Sequence, residues 1–160
     1  MRFFLPVLLL WATAATSAPP KLPDQFGELY DLSAYTSEPV VLIFAPTRKL
    51  RWIGKWEKAL RAELPELKSL RIADIRDEPK PDIDDVAATL KKRAPKDVSI
   101  LIDIDNLWAT IYQLDTEEPN VVLLNSNHEV VEIFRGRPKR DLLSRTLITV
   151  TPYFAPSDAT

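Results

Sequence analysis

The run Pro39-Val40-Val41-Leu42-Ile43-Phe44-Ala45 contains no polar side chain and is rich in β-branched residues. A strand with one wet face alternates apolar and polar residues. A continuous apolar run fits a strand buried on both faces, as at the centre of a parallel sheet. Such a strand requires packed layers above and below it, which already points to an α/β chain. Pro46 stops the run. From Thr47 the period changes: Ile53, Trp56, Leu60 and Leu64 recur at helical spacing with charges between them. Thr47 is placed to cap this helix, and Pro65 lies just past its end.

The remaining elements extend the same alternation. Residues 70–75 predict a second strand. Asp82 caps a helix with apolar positions Ile83, Val86, Ala87 and Leu90. Residues 98–104 form another apolar run, followed by a short helical piece around Leu107, Ile111 and Tyr112. Residues 121–124 and 130–134 read as strands joined by the polar turn Asn125-Ser126-Asn127-His128, with His128 facing solvent. Gly136 ends the last strand, and Pro138 suits the first turn of a helix reaching Ile148. The expected fold is one α/β domain over residues 24–150, a three-layer sandwich with helices on both faces of a mixed sheet. Residues 151–160 read as a flexible tail.

The chain opens with Met1-Arg2, an apolar stretch over 3–12, and the small residues Thr13-Ala14-Ala15-Thr16-Ser17-Ala18. Charge, apolar core and small-residue site in that order form a signal-peptide pattern. The stretch is well short of the ~20 residues that span a bilayer. Cleavage after Ser17 puts Ala15 and Ser17 at the small-residue positions; cleavage after Ala18 would leave Pro19 immediately downstream. The expectation is a leader over 1–17, a proline-rich linker over 18–23 and a secreted domain in a bacterial periplasm, with no membrane span after cleavage. The sequence has no cysteine. An exported domain without disulfides must rely on its core alone. The formal net charge is −2, so no overall field draws the chain to nucleic acid or anionic lipid.

Several segments carry a resemblance. Leu22-Pro23-Asp24 and Gly27-Glu28-Leu29-Tyr30-Asp31-Leu32-Ser33-Ala34-Tyr35 resemble the opening of the thioredoxin-like redoxins and peroxiredoxins, and Pro39 to Phe44 is similar to their first core strand. Trp108, Tyr112 and Leu114 match a later helical motif. Pro119 followed by Val121-Val122-Leu123-Leu124-Asn125 resembles their proline, usually cis, and the strand behind it. The resemblance implies a thioredoxin-like fold from Leu22 to Val150. It also implies where a thiol should stand, just after the strand at the start of the next helix. Lys49 and Trp52 occupy the two positions on the redoxin register; Ile53 and Leu50 occupy the reactive and supporting positions on the peroxiredoxin register. A thiolate at a helix N-terminus is what such a site stabilises. None of these residues replaces it, so thiol–disulfide and peroxidase chemistry is excluded.

What remains is a basic helix start: Arg48, Lys49, Arg51, Lys55, Lys58 and Arg61. Cations there oppose the helix dipole and need compensation, from a bound anion, an acidic partner, or internal acids such as Glu57 and Glu63. Trp56 shares the apolar stripe and belongs to the core, whereas Trp52 fits either core or an aromatic contact platform. Glu118-Pro119 fits either a plain turn or a backbone edge that pairs with an extended peptide. The candidate binding region is therefore Thr47, Arg48, Lys49, Arg51, Trp52, Glu118 and Pro119, with a protein or peptide as partner. A small-anion binder, a cysteine-independent enzyme on the basic helix start, and a structural envelope subunit stand as alternatives. No catalytic residue, metal site or cofactor is assigned. The acids Asp82, Asp84 and Asp85 lack the glycine and terminal glutamate of a calcium loop and serve a helix start. Asp103 and Asp105 resemble the D-x-D of phosphatases but lie too late in the chain. The lone His128 has no serine partner in a nucleophile-elbow context.

Overall fold

The computed structural model describes residues 19–35, 37–76, 79–115 and 117–155. The expected leader at 1–17 lies outside them, as do residues 156–160. The described chain begins with a small antiparallel hairpin, β1 (Leu22–Pro23) against β2 (Leu29–Tyr30). The central sheet is built from β3 (Val40–Pro46), β4 (Ser69–Asp74), β5 (Leu101–Asp103), β6 (Asn120–Leu124) and β7 (Val130–Arg135), in the order β5-β4-β3-β6-β7. β3, β4 and β5 are parallel, while β6 and β7 each run antiparallel to their neighbour. The α-helices among the described residues are α1 (Arg51–Glu63), α2 (Ile83–Arg93), α3 (Leu107–Ile111) and α4 (Arg140–Phe154).

Every residue of β3 is buried. Its side chains alternate between two cores, as the pleat dictates. Val41, Ile43 and Ala45 join Ile53, Trp56 and Leu60 of α1, Val86 and Leu90 of α2, and Val150 of α4. Val40, Leu42 and Phe44 join Trp108 and Tyr112 of α3 with Leu22 and Leu32. Three helices thus cover one face; a short helix and the N-terminal hairpin cover the other. Phe44 and Trp108 meet Tyr112 edge-on, at centroid distances of 6.3 and 6.5 Å, and burial pushes the Tyr112 phenol up to about 12.

Five sequence expectations change. Leu22 and Pro23, read as linker, form β1; Leu22 is buried and the Trp108 indole donates to the Pro20 carbonyl at 2.5 Å. The strand expected over 98–104 pairs only at Leu101–Asp103, because the buried Gln25 amide takes the Val98 carbonyl (2.6 Å) and the Ile100 N–H (2.7 Å). Thr47 does not cap α1. A 3₁₀ turn at Thr47–Lys49 intervenes, α1 starts only at Arg51, and the Thr47 hydroxyl is buried with no hydrogen-bond partner. α4 starts at Arg140 and runs through Pro152 to Phe154, past the expected end at Ile148 and into the expected tail. Pro152 sits in the last turn, where its missing N–H costs little helix beyond it, and Phe154 packs on the core. His128 is half-buried, with Nε2 3.1 Å from the Tyr35 carbonyl, rather than free in solvent. Asp82 does cap α2, accepting from the Asp84 N–H at 2.8 Å.

Two adjacent residues fix α1 to the sheet. The buried Trp56 donates from Nε1 to the Gly136 carbonyl at 2.9 Å. Glu57 accepts two hydrogen bonds from Arg71 of β4, both at 2.6 Å, with Ser69 (3.0 Å) and Arg61 (3.1 Å) adding one each. Burial pushes the Glu57 carboxyl up, but the hydrogen bonds and charge of Arg71, then Arg61 and Ser69, outweigh it and hold the group below its ordinary value. A carboxyl depressed in the fold stabilises it above the unfolded-state value and loses that contribution as pH falls through the folded value. Glu57→Gln is expected to cost about 1–3 kcal/mol at neutral pH. In urea titrations at stepwise lower pH the gap to wild type should close; a gap independent of pH would contradict the assignment.

Candidate functional site

The turn at Thr47–Lys49 delivers the chain from the end of β3 to α1, opposite the segment that leads into β6. The first turn of α1 contains no acid, so the cations at the helix start have no compensation within it. It comes from across the molecule. Arg48 is ion-paired with Glu117, and Lys49 Nζ reaches the Glu117 carbonyl and, at 2.7 Å, Glu118 Oε1. Glu57, considered as an internal partner, does pair with Arg61 of the basic run, and also with Arg71 of β4. Lys49, standing at the first thiol position, therefore closes on the proline segment as an ion pair.

Trp52, at the second position, turns to another side. Its ring lies under Lys55 Nζ at 4.4 Å, Arg137 Cζ at 5.1 Å and Arg51 Cζ at 5.5 Å. Each such contact is worth about 0.5–1 kcal/mol at an exposed site. The Trp52 residue is half-buried, and its Nε1 is buried with no acceptor. Arg137 is held there by Gly136, whose N–H donates to the Pro119 carbonyl at 2.8 Å while its own carbonyl accepts from Trp56. Gly136 has a φ of +122°, which favours glycine. Beside the ring opens a recess of about 420 Å³ lined by Glu118, Arg135, Gly136, Arg137, Lys139 and Leu142.

The sequence-predicted residues thus gather in one region, but they do not form one surface. Thr47 faces inward. Arg48 and Lys49 are engaged with Glu117 and Glu118. Only Arg51 and Trp52 belong to the cation-ringed aromatic. Pro119 is buried rather than exposed, and the Glu118 carbonyl already accepts from Asn120 Nδ2 at 2.9 Å. The expected backbone edge for an extended peptide is therefore occupied from within. Glu117 and Arg137 were not singled out from the sequence. Glu117 was legible only as the neighbour of Glu118; Arg137 carried no local signal, since its role depends on where β7 ends in space.

The other acids have structural partners. Asp103 accepts from the Leu107 and Ala109 N–H groups at 2.7 and 2.9 Å and so starts α3. Asp74 is paired with Arg76 at 2.7 Å, and Asp105 with Lys80. Burial pushes both Asp74 and Asp103 up, against the pull of Arg76 and of the backbone N–H groups respectively. Among the described residues no three His, Cys, Asp or Glu side chains gather as metal ligands. None of their helices is long and apolar enough to cross a membrane.

Solved structures share this fold. The exposed lipoprotein thioredoxin of Streptococcus pneumoniae superposes with a TM-score of 0.65 at 18% identity, over 82% of this chain and 99% of that one. The chain has the thioredoxin-like fold. A secreted disulfide oxidoreductase of Mycobacterium tuberculosis gives a TM-score of 0.56 at 14% identity over 81% and 94% of the two chains. The bacterioferritin comigratory protein of Xanthomonas campestris, described for alkyl peroxide reduction, gives 0.59 at 16% over 83% and 89%. No protein-family model and no curated protein matches the sequence. Within this thioredoxin-like fold the chain is cysteine-free, and an ion pair stands where the redox register places the first thiol. Lys49 is mostly covered and Glu118 over a third exposed, so the pair is screened and modest. A double-mutant cycle with Lys49→Met and Glu118→Gln should give a coupling of about 0.5 kcal/mol that shrinks in high salt. Zero coupling at low salt would show that the pair holds nothing together.

Proposed function

We propose that this chain is an exported, redox-inactive thioredoxin-like domain that binds an acidic segment of a partner protein. The carrying observation is Trp52: an aromatic ring that gathers three cations, of which Arg51 and Lys55 form no ion pair among the described residues. Cations gathered on one ring offer charge-assisted contacts to a carboxylate presented by a partner, which would meet Arg51, Lys55 and Arg137. The adjoining recess adds Arg135 and Lys139 against a single acid, Glu118. Aromatic and arginine side chains together are the usual anchors of protein contacts. Recognition then runs through side chains, because the peptide backbone beside Pro119 is already engaged.

Export rests on the charge–apolar–small pattern of residues 1–17. It is supported by the descriptions of two similar structures as exposed and secreted. A bacterial periplasm is the compartment this reading favours. Partner binding would put the former redox region to use without any thiol.

The test uses a fluorescent glutamate-rich peptide and a lysine-rich control. The wild-type protein should bind the first and not the second, with affinity falling as salt rises. The triple variant Arg51→Glu, Lys55→Glu, Arg137→Glu should lose at least tenfold in affinity, and Trp52→Phe should lose several-fold by shrinking the ring that gathers the cations. Thermal melts of both should stay near wild type. Equal binding by the triple variant, or no preference between the peptides, would overturn the proposal.

A further inference from the structure

The opposite side of α1 carries a second feature. Leu50, Ile53, Gly54 and Glu57 follow helical spacing and face α2 rather than Trp52. There they border a cavity of about 430 Å³ between α1, β4, the end of α2 and the segment leading to β5. Its apolar lining comes from Ile53, Leu90, Ile100, Pro95 and Val98, of which the first three are buried. Exposed arginines, Arg48, Arg51 and Arg93, stand at its rim. Its only lining carboxylate, Glu57, is consumed by Arg71 and Arg61. Among the described residues Arg93 forms no ion pair, and the buried Thr47 hydroxyl on the same wall lacks a partner.

Gly54 is the telling residue. A glycine inside a helix costs about 1 kcal/mol relative to alanine, and here nothing in the packing requires it: a Cβ added at Gly54 would meet no atom within 4 Å. It borders the cavity, and any side chain at this position would narrow the opening.

From this geometry we infer that the cavity binds a small amphiphilic monoanion, with its apolar chain on the Ile53–Leu90–Ile100 floor and its carboxylate on Arg93. The volume falls in the range of small-molecule sites, and apolar walls with a few convergent charges are their common construction. The site goes beyond the acidic-partner surface, since Trp52, Lys55 and Arg137 take no part in it and only Arg51 borders both.

Isothermal titration with decanoate below its micelle concentration tests the inference, with decanol and acetate as arms lacking the charge and the chain. Decanoate should bind saturably, decanol at least tenfold more weakly, and acetate not at all. Arg93→Glu should weaken decanoate at least fivefold. Gly54→Leu should abolish binding while melting no lower than wild type, which separates a blocked cavity from a damaged fold. Trp52→Phe should bind decanoate as wild type does, so failure here and failure of the acidic-partner reading are distinguishable. No saturable decanoate binding, equal affinity for decanol, retained binding in Gly54→Leu, or loss in Trp52→Phe would each overturn the inference.

Discussion

The burial of β3 on both faces is the constraint from which the rest of the structure follows. A strand with seven apolar positions and no wet side must sit between two layers and between two neighbouring strands. Its alternating side chains then set both cores: Val41, Ile43 and Ala45 demand the helical layer of α1, α2 and α4, while Val40, Leu42 and Phe44 demand α3 and the N-terminal hairpin. Parallel pairing with β4 and antiparallel pairing with β6 bring the start of α1 and the Pro119 segment to the same end of the sheet. The site is therefore a consequence of where β3 lies.

At that end, the positions the redoxin register gives to thiols hold Lys49 and Trp52, and charge pairs dominate. Arg48 and Lys49 would oppose the dipole of α1 if left alone. Glu117 and Glu118 answer them from the segment before β6. The pairs also cover the backbone that an extended peptide would need. What stays available is the Trp52 ring and its cations, one step around the helix.

α1 thus presents two faces with different chemistry. On one, Trp52 gathers Arg51, Lys55 and Arg137, of which only Arg137 reaches an acid, Glu118 at 4.0 Å. On the other, Ile53, Gly54 and Glu57 border an apolar cavity with arginines at its rim. Trp56 and Glu57 hold the helix between them, one through the Gly136 carbonyl and the other through Arg71. Because Gly136 also binds Pro119, the same hydrogen-bond chain that seats α1 positions Arg137 over Trp52.

By itself the sequence determined the alternation of strands and helices, the central place of residues 40–45, the cap at Asp82 and the absence of thiol chemistry. These are local properties: hydrophobic period, proline stops, capping residues and the presence or absence of a sulfur atom. Only the tertiary structure decided the roles that depend on residues far apart in the chain. It moved Thr47 from cap to buried wall, because a 3₁₀ turn displaced the helix start. It turned Leu22 from linker to core and shortened the 98–104 strand, because Gln25 claimed its backbone groups. It gave Lys49 to Glu118 and Arg137 to Trp52. Charge partners of this kind leave no periodic trace, since a salt bridge or a cation over a ring needs only proximity in space, and proximity is fixed by the sheet order.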